Sequence, residues 1–152
     1  MGLLLAMDQL SKVWVRVSVP MHQGTNLIPN LIDLTHVENK GVSFSFLGNI
    51  DDGVRVPLLV GISLIAVAML GYYWFRHHRQ MNLWSNTAFV FIIPGAVGNL
   101  IDRSLYGAVT DFFHFRFYDI SFFVNNIADI QISLGVMAFV VGTFLSERSP
   151  TR

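Results

Sequence analysis

The sequence has no cysteine and little charge, and each absence excludes a class of function. Without cysteine there are no disulfides, thiolate nucleophiles or Cys-based metal sites in the 152 residues. Only 13% of the residues are charged, and the 10 basic and 10 acidic residues give a formal net charge of zero. No Lys/Arg cluster is interleaved with aromatic residues, which argues against a nucleic-acid partner.

Apolar residues are abundant: they make up 53% of the chain, whose mean hydropathy is +0.51. Four apolar stretches cover residues 2–19, 56–75, 83–101 and 127–145, and each is near the ~20 residues needed to span a bilayer. The first has no basic leader and no small-residue cleavage pattern, so we interpret it as a retained helix rather than a signal peptide. The pattern predicts an all-α integral membrane protein with four transmembrane helices in a single domain, residues 1–152.

Charge and periodicity also predict how the loops are arranged. The short basic loop Arg76-His77-His78-Arg79 marks one side as cytoplasmic, and an even number of spans places both termini there. Residues 32–35 and 42–46 alternate with period two around residues 39–41, which predicts a small outer β hairpin. Residues 106–126 are rich in aromatic side chains, which is typical of a segment at the lipid–water interface.

Charged residues inside the first span follow a helical spacing. Asp8, Lys12 and Arg16 stand at i, i+4 and i+8, so one helix face carries an acid and two bases. One interpretation is an ion pair that makes these charges tolerable in a membrane. The other, which we favour, is that Asp8 and Lys12 support an active site from behind.

Two carboxylates lie near the ends of the later spans. Asp111 stands between apolar residues after the third span, and Asp129 begins the fourth. Close carboxylates share one proton, so that one acts as a base toward water and the other as an acid toward a carbonyl. The five histidines are scattered, and neither a His-Glu-x-x-His nor a Gly-x-Ser-x-Gly motif is present. The candidate chemistry is that of an aspartic protease, with no metal and no cofactor.

Five motifs, in order along almost the whole chain, resemble those of the bacterial lipoprotein signal peptidases (signal peptidase II). They are Asp8-Gln9-Leu10-Ser11-Lys12, Asn39-Lys40-Gly41 with Phe44, Gly98-Asn99 with Asp102-Arg103, Gly107-x-Val109-x-Asp111-Phe112, and Asn126-x-Ala128-Asp129 with Ile132 and Gly135. Each motif alone is a weak signal. Their order, at the right places in a four-span topology, makes the resemblance specific.

The resemblance implies an inner-membrane protease that cuts lipoprotein precursors just before a diacylglyceryl-modified cysteine. It assigns the catalytic pair to Asp111 and Asp129, and implies that the hairpin is part of an outer cradle over the substrate. The residues that it implies shape the site are Asn39, Gly41, Asn99, Arg103 and Asn126. The expected partners are lipidated prolipoproteins and membrane lipids, and we expect the enzyme to act as a monomer.

Two alternatives remain open from the sequence. A small transporter or channel subunit would use Asp8, Asp111 and Asp129 to bind a cation or relay protons, although the repeated halves expected of a transporter are not visible. A non-catalytic membrane scaffold would keep the fold without the chemistry. The presence of both aspartates and the asparagines around them argues against the scaffold.

Overall fold

The computed structural model describes residues 1–41 and 51–147. Its elements follow the order α1 (Gly2–Ser18), β1 (Gly24–Ile28), β2 (Ile32–Asn39), α2 (Asp52–His77), α3 (Leu83–Tyr106), β3 (Val109–Phe117), β4 (Ile120–Asn125) and α4 (Ile127–Glu147). All four predicted helices are present, and α2 and α3 extend beyond the predicted apolar cores.

Local sequence signals explain where α2 and α3 begin and end. The side chain of Asp51 caps α2 by accepting a hydrogen bond from the backbone N–H of Gly53, and Asn82 caps α3 through the N–H of Ser85. The C-cap of α3 is Gly107, whose φ of 72° lies in the left-handed region that glycine adopts at low cost. The chain therefore turns sharply between α3 and β3.

In the part of the chain that the structure describes, three helices are long and apolar enough to cross a membrane: Asp52–His77, Leu83–Tyr106 and the Ile127–Leu145 part of α4. Three of the four predicted spans are therefore confirmed by length and composition. The helix α1 has only 17 residues and is not among them. Its Asp8 and Lys12 are completely buried inside the protein, which is how a helix with such charges avoids exposing them to lipid.

Small residues bring α3 into close contact with its neighbours. A Cβ on Gly98 would lie 2.3 Å from Oδ2 of Asp8, and a Cβ on Gly95 would lie 2.6 Å from the carbonyl oxygen of Ala128. Side chains at either position would separate the helices, as in other small-residue helix interfaces. The polar face of α3 is therefore held directly against α1 and α4.

The four strands form one antiparallel sheet in the order β1-β2-β3-β4. Val37 of β2 lies opposite Asp111 of β3, and further along Phe115 lies opposite Phe123 of β4. A register shift between Leu34 and Val37 interrupts the β2–β3 ladder. The sheet positions Asp111 because β3 leaves α3 through Gly107 and is paired on both sides.

The sheet is larger than the sequence analysis predicted, so the all-α fold class was incomplete. Residues 32–35 do form a strand, but it pairs with β1 and β3; the expected second strand, residues 42–46, lies outside the described residues. The aromatic segment at 106–126 contains β3 and β4, which were not predicted. The alternation of Phe113, Phe115 and Phe117 with polar residues indicates a strand. The sequence analysis gave more weight to the aromatic composition, which is also typical of an interfacial segment.

Candidate active site

Asp111 lies near the start of β3 and is almost completely buried. Each of its carboxylate oxygens accepts one hydrogen bond: Oδ2 from Nδ2 of Asn39 at 2.9 Å, and Oδ1 from Nδ2 of Asn126 at 2.6 Å. Oδ1 of Asn39 in turn accepts the backbone N–H of Gly41. The φ of Gly41 is 80°, and a Cβ there would meet the side chain of Leu59 at 2.7 Å, so this turn requires glycine.

Burial raises the pKa of Asp111 from its ordinary value of 3.8 to about 6. The hydrogen bond from Asn39 opposes this rise, the nearby charge of Asp129 adds to it, and Asn126 and Lys12 lower the pKa again. Removal from water is the dominant cause because it penalises the ionised form. Asp111 is therefore suited to carry a proton near neutral pH.

Asp129 is the third residue of α4. Its Oδ1 accepts a hydrogen bond from Nδ2 of Asn99 on α3 at 2.8 Å. Asn126, just before the helix, accepts the backbone N–H of Asp129 through its Oδ1 at 3.0 Å, in the manner of a helix N-cap. The same Asn126 donates to Asp111, so one amide connects the positions of both carboxylates.

Both carboxylates line one cavity of about 720 Å³. Arg103 on α3 also lines it and lies within electrostatic reach of both aspartates. The remaining lining residues come from the end of β2 and from β4: Val37, Glu38, Asn39, Lys40, Phe123, Val124 and Asn125. Besides Asp111 and Asp129, the cavity therefore presents a third carboxylate, that of Glu38, and two cations, Lys40 and Arg103.

A second layer of charged side chains lies behind the cavity. Nζ of Lys12 is 2.9 Å from Oδ2 of Asp8, 3.5 Å from Oδ2 of Asp102 and 2.9 Å from Oδ1 of Asn99. Oδ1 of Asp8 accepts the backbone N–H of Ala128 at 2.9 Å. The residues Asp8, Lys12, Asn99 and Asp102, here called the buried cluster, therefore join α1 and α3 to the start of α4.

Asp102 also connects the buried cluster to β3. Its Oδ2 accepts the backbone N–H of Thr110 at 3.0 Å, next to Asp111 in the chain. Arg16 donates to Oγ1 of Thr110 at 2.7 Å and lies 3.5 Å from Oδ1 of Asp102. A buried charge pair with these additional hydrogen bonds compensates desolvation better than an isolated pair.

The structure brings all nine sequence-predicted residues into one region, but the sequence did not reveal how they connect. Asn126 was assigned to the site without its bridging position, and Thr110 was not singled out. The contribution of Glu38 to the cavity was also missed, because strand pairing places it there. Within residues 1–41 and 51–147, no three His, Asp or Glu side chains are grouped to hold a metal ion.

This geometry suits acid–base hydrolysis. An ionised Asp129, held by Asn99, can accept a proton from water, while a protonated Asp111 can donate to a carbonyl oxygen. Arg103 offsets part of the negative charge around the pair. The asparagines restrict the rotation of both carboxylates, which keeps the reacting groups in place.

Comparison with known proteins identifies the family. The family described as signal peptidase (SPase) II matches residues 1–145. A lipoprotein signal peptidase of Gloeobacter violaceus is 37% identical over 150 residues, covering 97% of this chain and 82% of the relative. One from Streptococcus pyogenes is 34% identical over 145 residues, covering 95% of this chain and 90% of the relative.

Two solved structures, both described as bacterial membrane enzymes, share the fold. One superposes with a TM-score of 0.81 at 25% identity, covering 99% of this chain and 90% of the other. The second has a TM-score of 0.79 at 27% identity, covering 93% and 88%. Sequence and fold agree over nearly the full length, and the chain therefore belongs to the signal peptidase II family.

Proposed function

We propose that this protein is an aspartic endopeptidase that removes the signal peptide from diacylglyceryl-modified prolipoproteins, cutting just before the lipidated cysteine. Membership of the signal peptidase II family makes it a peptidase of lipoprotein precursors. The observation that carries the assignment of residues is that Asp111 and Asp129 line one cavity and are linked through Asn126.

In the proposed reaction, Asp129 takes a proton from a water molecule, whose oxygen attacks the carbonyl carbon of the scissile bond. Asp111 gives its proton to the carbonyl oxygen, so a neutral tetrahedral intermediate forms. The C–N bond then breaks as Asp129 returns its proton to the leaving amine and Asp111 recovers one from the hydroxyl. Asn39, Asn99 and Asn126 hold the two carboxylates during both steps.

The helix α1 is proposed as the fourth span. Its buried charges face α3 and α4, whereas Leu3, Leu10 and Val17 are exposed apolar residues suited to lipid. The basic residues after α2 favour a cytoplasmic position for that loop and both termini, in the inner membrane of a bacterium. The sheet and the catalytic pair then lie toward the outer face.

A labelling experiment tests this orientation, using the absence of native cysteine. Gln80→Cys lies between α2 and α3, and Gln23→Cys lies between α1 and β1; both side chains are exposed. A membrane-impermeant thiol reagent applied from outside should label only Gln23→Cys, and both should react once the membrane is opened. Labelling of Gln80→Cys in intact cells would contradict the proposed orientation.

The protein is also proposed to work as a monomer in contact with lipid. Every group of the site described above comes from one chain, so a second copy is not needed to complete it. Exposed apolar side chains such as Ile65, Met69 and Phe139 on α2 and α4 provide the surface for lipid. Activity per molecule that stays constant as the protein is diluted in detergent would support the monomer.

The central test is cleavage of a purified lipoprotein precursor in detergent. Wild-type protein should release the signal peptide from the lipidated precursor, and Asp111→Asn should not, although it should purify normally. An otherwise identical precursor with an unmodified cysteine should be cleaved at least ~100-fold more slowly, because the scissile bond is then poorly placed. Equal rates for the two precursors would contradict lipoprotein specificity, and inhibition by a chelator would contradict the two-carboxylate mechanism.

A further inference from the structure

The face of β3 that carries Asp111 continues as a row of aromatic side chains. Residues two apart on a strand point to the same face, so Phe113, Phe115 and Phe117 follow Asp111 along β3. Phe115 lies opposite Phe123 in the sheet, and their ring centroids are 5.2 Å apart. An apolar track therefore begins beside the catalytic carboxylate.

Phe115 and Phe117 of this track line a second cavity of about 450 Å³, here called the aromatic groove. Its apolar lining includes Ile32, Phe115, Phe117, Phe122 and Phe123, and it exposes almost no polar surface. Phe123 lines both the aromatic groove and the catalytic cavity. Phe115 is four residues from Asp111, which corresponds to about 13 Å along an extended strand.

Charge in the aromatic groove is already compensated. Arg116 contributes to the lining, but its Nε is 2.8 Å from Oδ2 of Asp33, and it donates to the carbonyl oxygen of Tyr118. An anionic headgroup would compete with these partners, whereas an apolar occupant leaves them intact. A peptide would bring backbone N–H and C=O groups that need hydrogen bonds, and a wall of aromatic side chains offers few.

The open end of the aromatic groove is also apolar. Phe117, Tyr118, Ile120 and Phe122, around the β3–β4 turn, are each more than half exposed. A contiguous set of exposed aromatic and aliphatic side chains is typical of contact with lipid at the membrane interface. Phe117 and Phe122 of this patch line the aromatic groove, and Phe123 lies between the groove and the catalytic cavity as a wall residue of both.

We infer that the aromatic groove receives one acyl chain of the diacylglyceryl group on the substrate cysteine. This inference rests on the proposed function and identifies the site that recognises the lipid of the substrate. Because the chain leaves one apolar surrounding for another, its transfer from bilayer to groove brings little hydrophobic gain. Its effect is to place the modified cysteine, and hence the scissile bond, beside Asp111.

Photo-crosslinking tests the inference directly. The inactive Asp111→Asn protein is mixed with a lipidated precursor whose acyl chains carry a diazirine, and the crosslinked residues are identified by mass spectrometry. The label should concentrate in β3 and β4. Adding Phe117→Trp, which enlarges a side chain in the groove wall, should reduce that label about tenfold, equivalent to about 1.4 kcal/mol.

Two further variants control for folding and for general lipid contact. Phe117→Leu keeps an apolar side chain and should retain the label in β3 and β4, whereas Phe144→Trp enlarges an exposed residue of α4 and should leave it unchanged. Label concentrated on the four helices, or insensitive to Phe117→Trp, would overturn the inference. Failure of the wild-type protein to cleave any lipidated precursor would instead reject the proposed function itself.

Discussion

Two clusters of charged side chains have similar geometry and opposite surroundings. In the buried cluster, Lys12 and Asp8 are 2.9 Å apart and neither side chain is exposed. In the sheet, Arg116 of β3 and Asp33 of β2 are 2.8 Å apart, with 24% and 15% of their side chains exposed, and they form what is here called the sheet cluster. The sheet cluster also contains His114, which lies 3.6 Å from Asp33 and 2.7 Å from Oγ of Ser121.

The comparison shows that distance alone does not measure what an ion pair contributes. Partly exposed pairs are screened by water and typically contribute ~0–1 kcal/mol. Removing one partner of a buried pair leaves an uncompensated charge and typically costs ~3–5 kcal/mol. The buried cluster also holds Asn99 against Asp129, so its loss affects both stability and catalysis.

The largest expected difference between the two regions is in activity. Asp129→Asn removes the proposed base and should lower kcat by at least ~10³-fold, within the range typical of acid–base groups. Asp33→Asn removes a carboxylate of the sheet cluster and should change kcat by less than ~5-fold, as for an exposed pair. The measurement is single-turnover cleavage of a lipidated precursor. Comparable losses in both variants would show that the sheet cluster takes part in the reaction.

The second expected difference is in stability. Lys12→Met leaves Asp8 buried without its cation and leaves Asp102 with Arg16 alone, so it should lower the free energy of unfolding by ~3–5 kcal/mol. Arg116→Met should lower it by no more than ~1 kcal/mol. Thermal unfolding in one detergent, followed by tryptophan fluorescence, measures both. Equal shifts of Tm would mean that the two clusters contribute equally despite their different burial.

A steric change at the buried cluster should have a smaller effect. Gly98→Ala places a Cβ 2.3 Å from Oδ2 of Asp8, so Asp8 must move relative to Lys12, at a cost of ~1–3 kcal/mol typical of overpacking. Gly61→Ala on α2 is the matched control, because nothing lies within 4 Å of its new Cβ and alanine favours helix by ~1 kcal/mol. In thermal unfolding, Gly98→Ala should lower Tm and Gly61→Ala should raise it.

The smallest expected effect concerns pH. Because the pKa of Asp111 is about 6, kcat should decline as the pH rises through that value and the proposed acid loses its proton. The hydrogen bond from Asn39 favours the ionised form, so Asn39→Ala should raise the pKa of Asp111 and move the decline to higher pH by less than ~1 unit. Asp33→Asn, in the sheet cluster, should not move it. A shift to lower pH in Asn39→Ala would contradict the assignment of Asp111 as the acid.

The same titration has a consequence for stability. The folded protein holds the Asp111 proton more tightly than the unfolded chain, so this group lowers stability as the pH rises from about 3.8 to about 6. Above that window its contribution is constant. Asp111→Asn carries no such charge and should remove this part of the pH dependence, which unfolding measured at pH 4 and pH 7 would show.

Sequence reasoning identified the chemistry better than the architecture. Asp111 and Asp129 stand out because carboxylates within apolar segments are costly, and the apolar periodicity of 56–75 and 83–101 indicates helices directly. The strands β3 and β4 were missed because their aromatic residues also fit an interfacial loop. Only pairing with β2 distinguishes the two, and that pairing joins residues 70 or more positions apart, such as Asn39 and Val109.

The sequence by itself determined the helices and the family to which the chain belongs, and it predicts the catalytic pair, because these depend on local composition and on motifs. Only the tertiary structure decided which side chains form hydrogen bonds and ion pairs with each other. Lys12 contacts Asn99 across 87 positions, and Asp8 accepts the backbone N–H of Ala128 across 120. Such contacts depend on how the helices rotate and approach one another, which small residues such as Gly98 permit but no local pattern specifies.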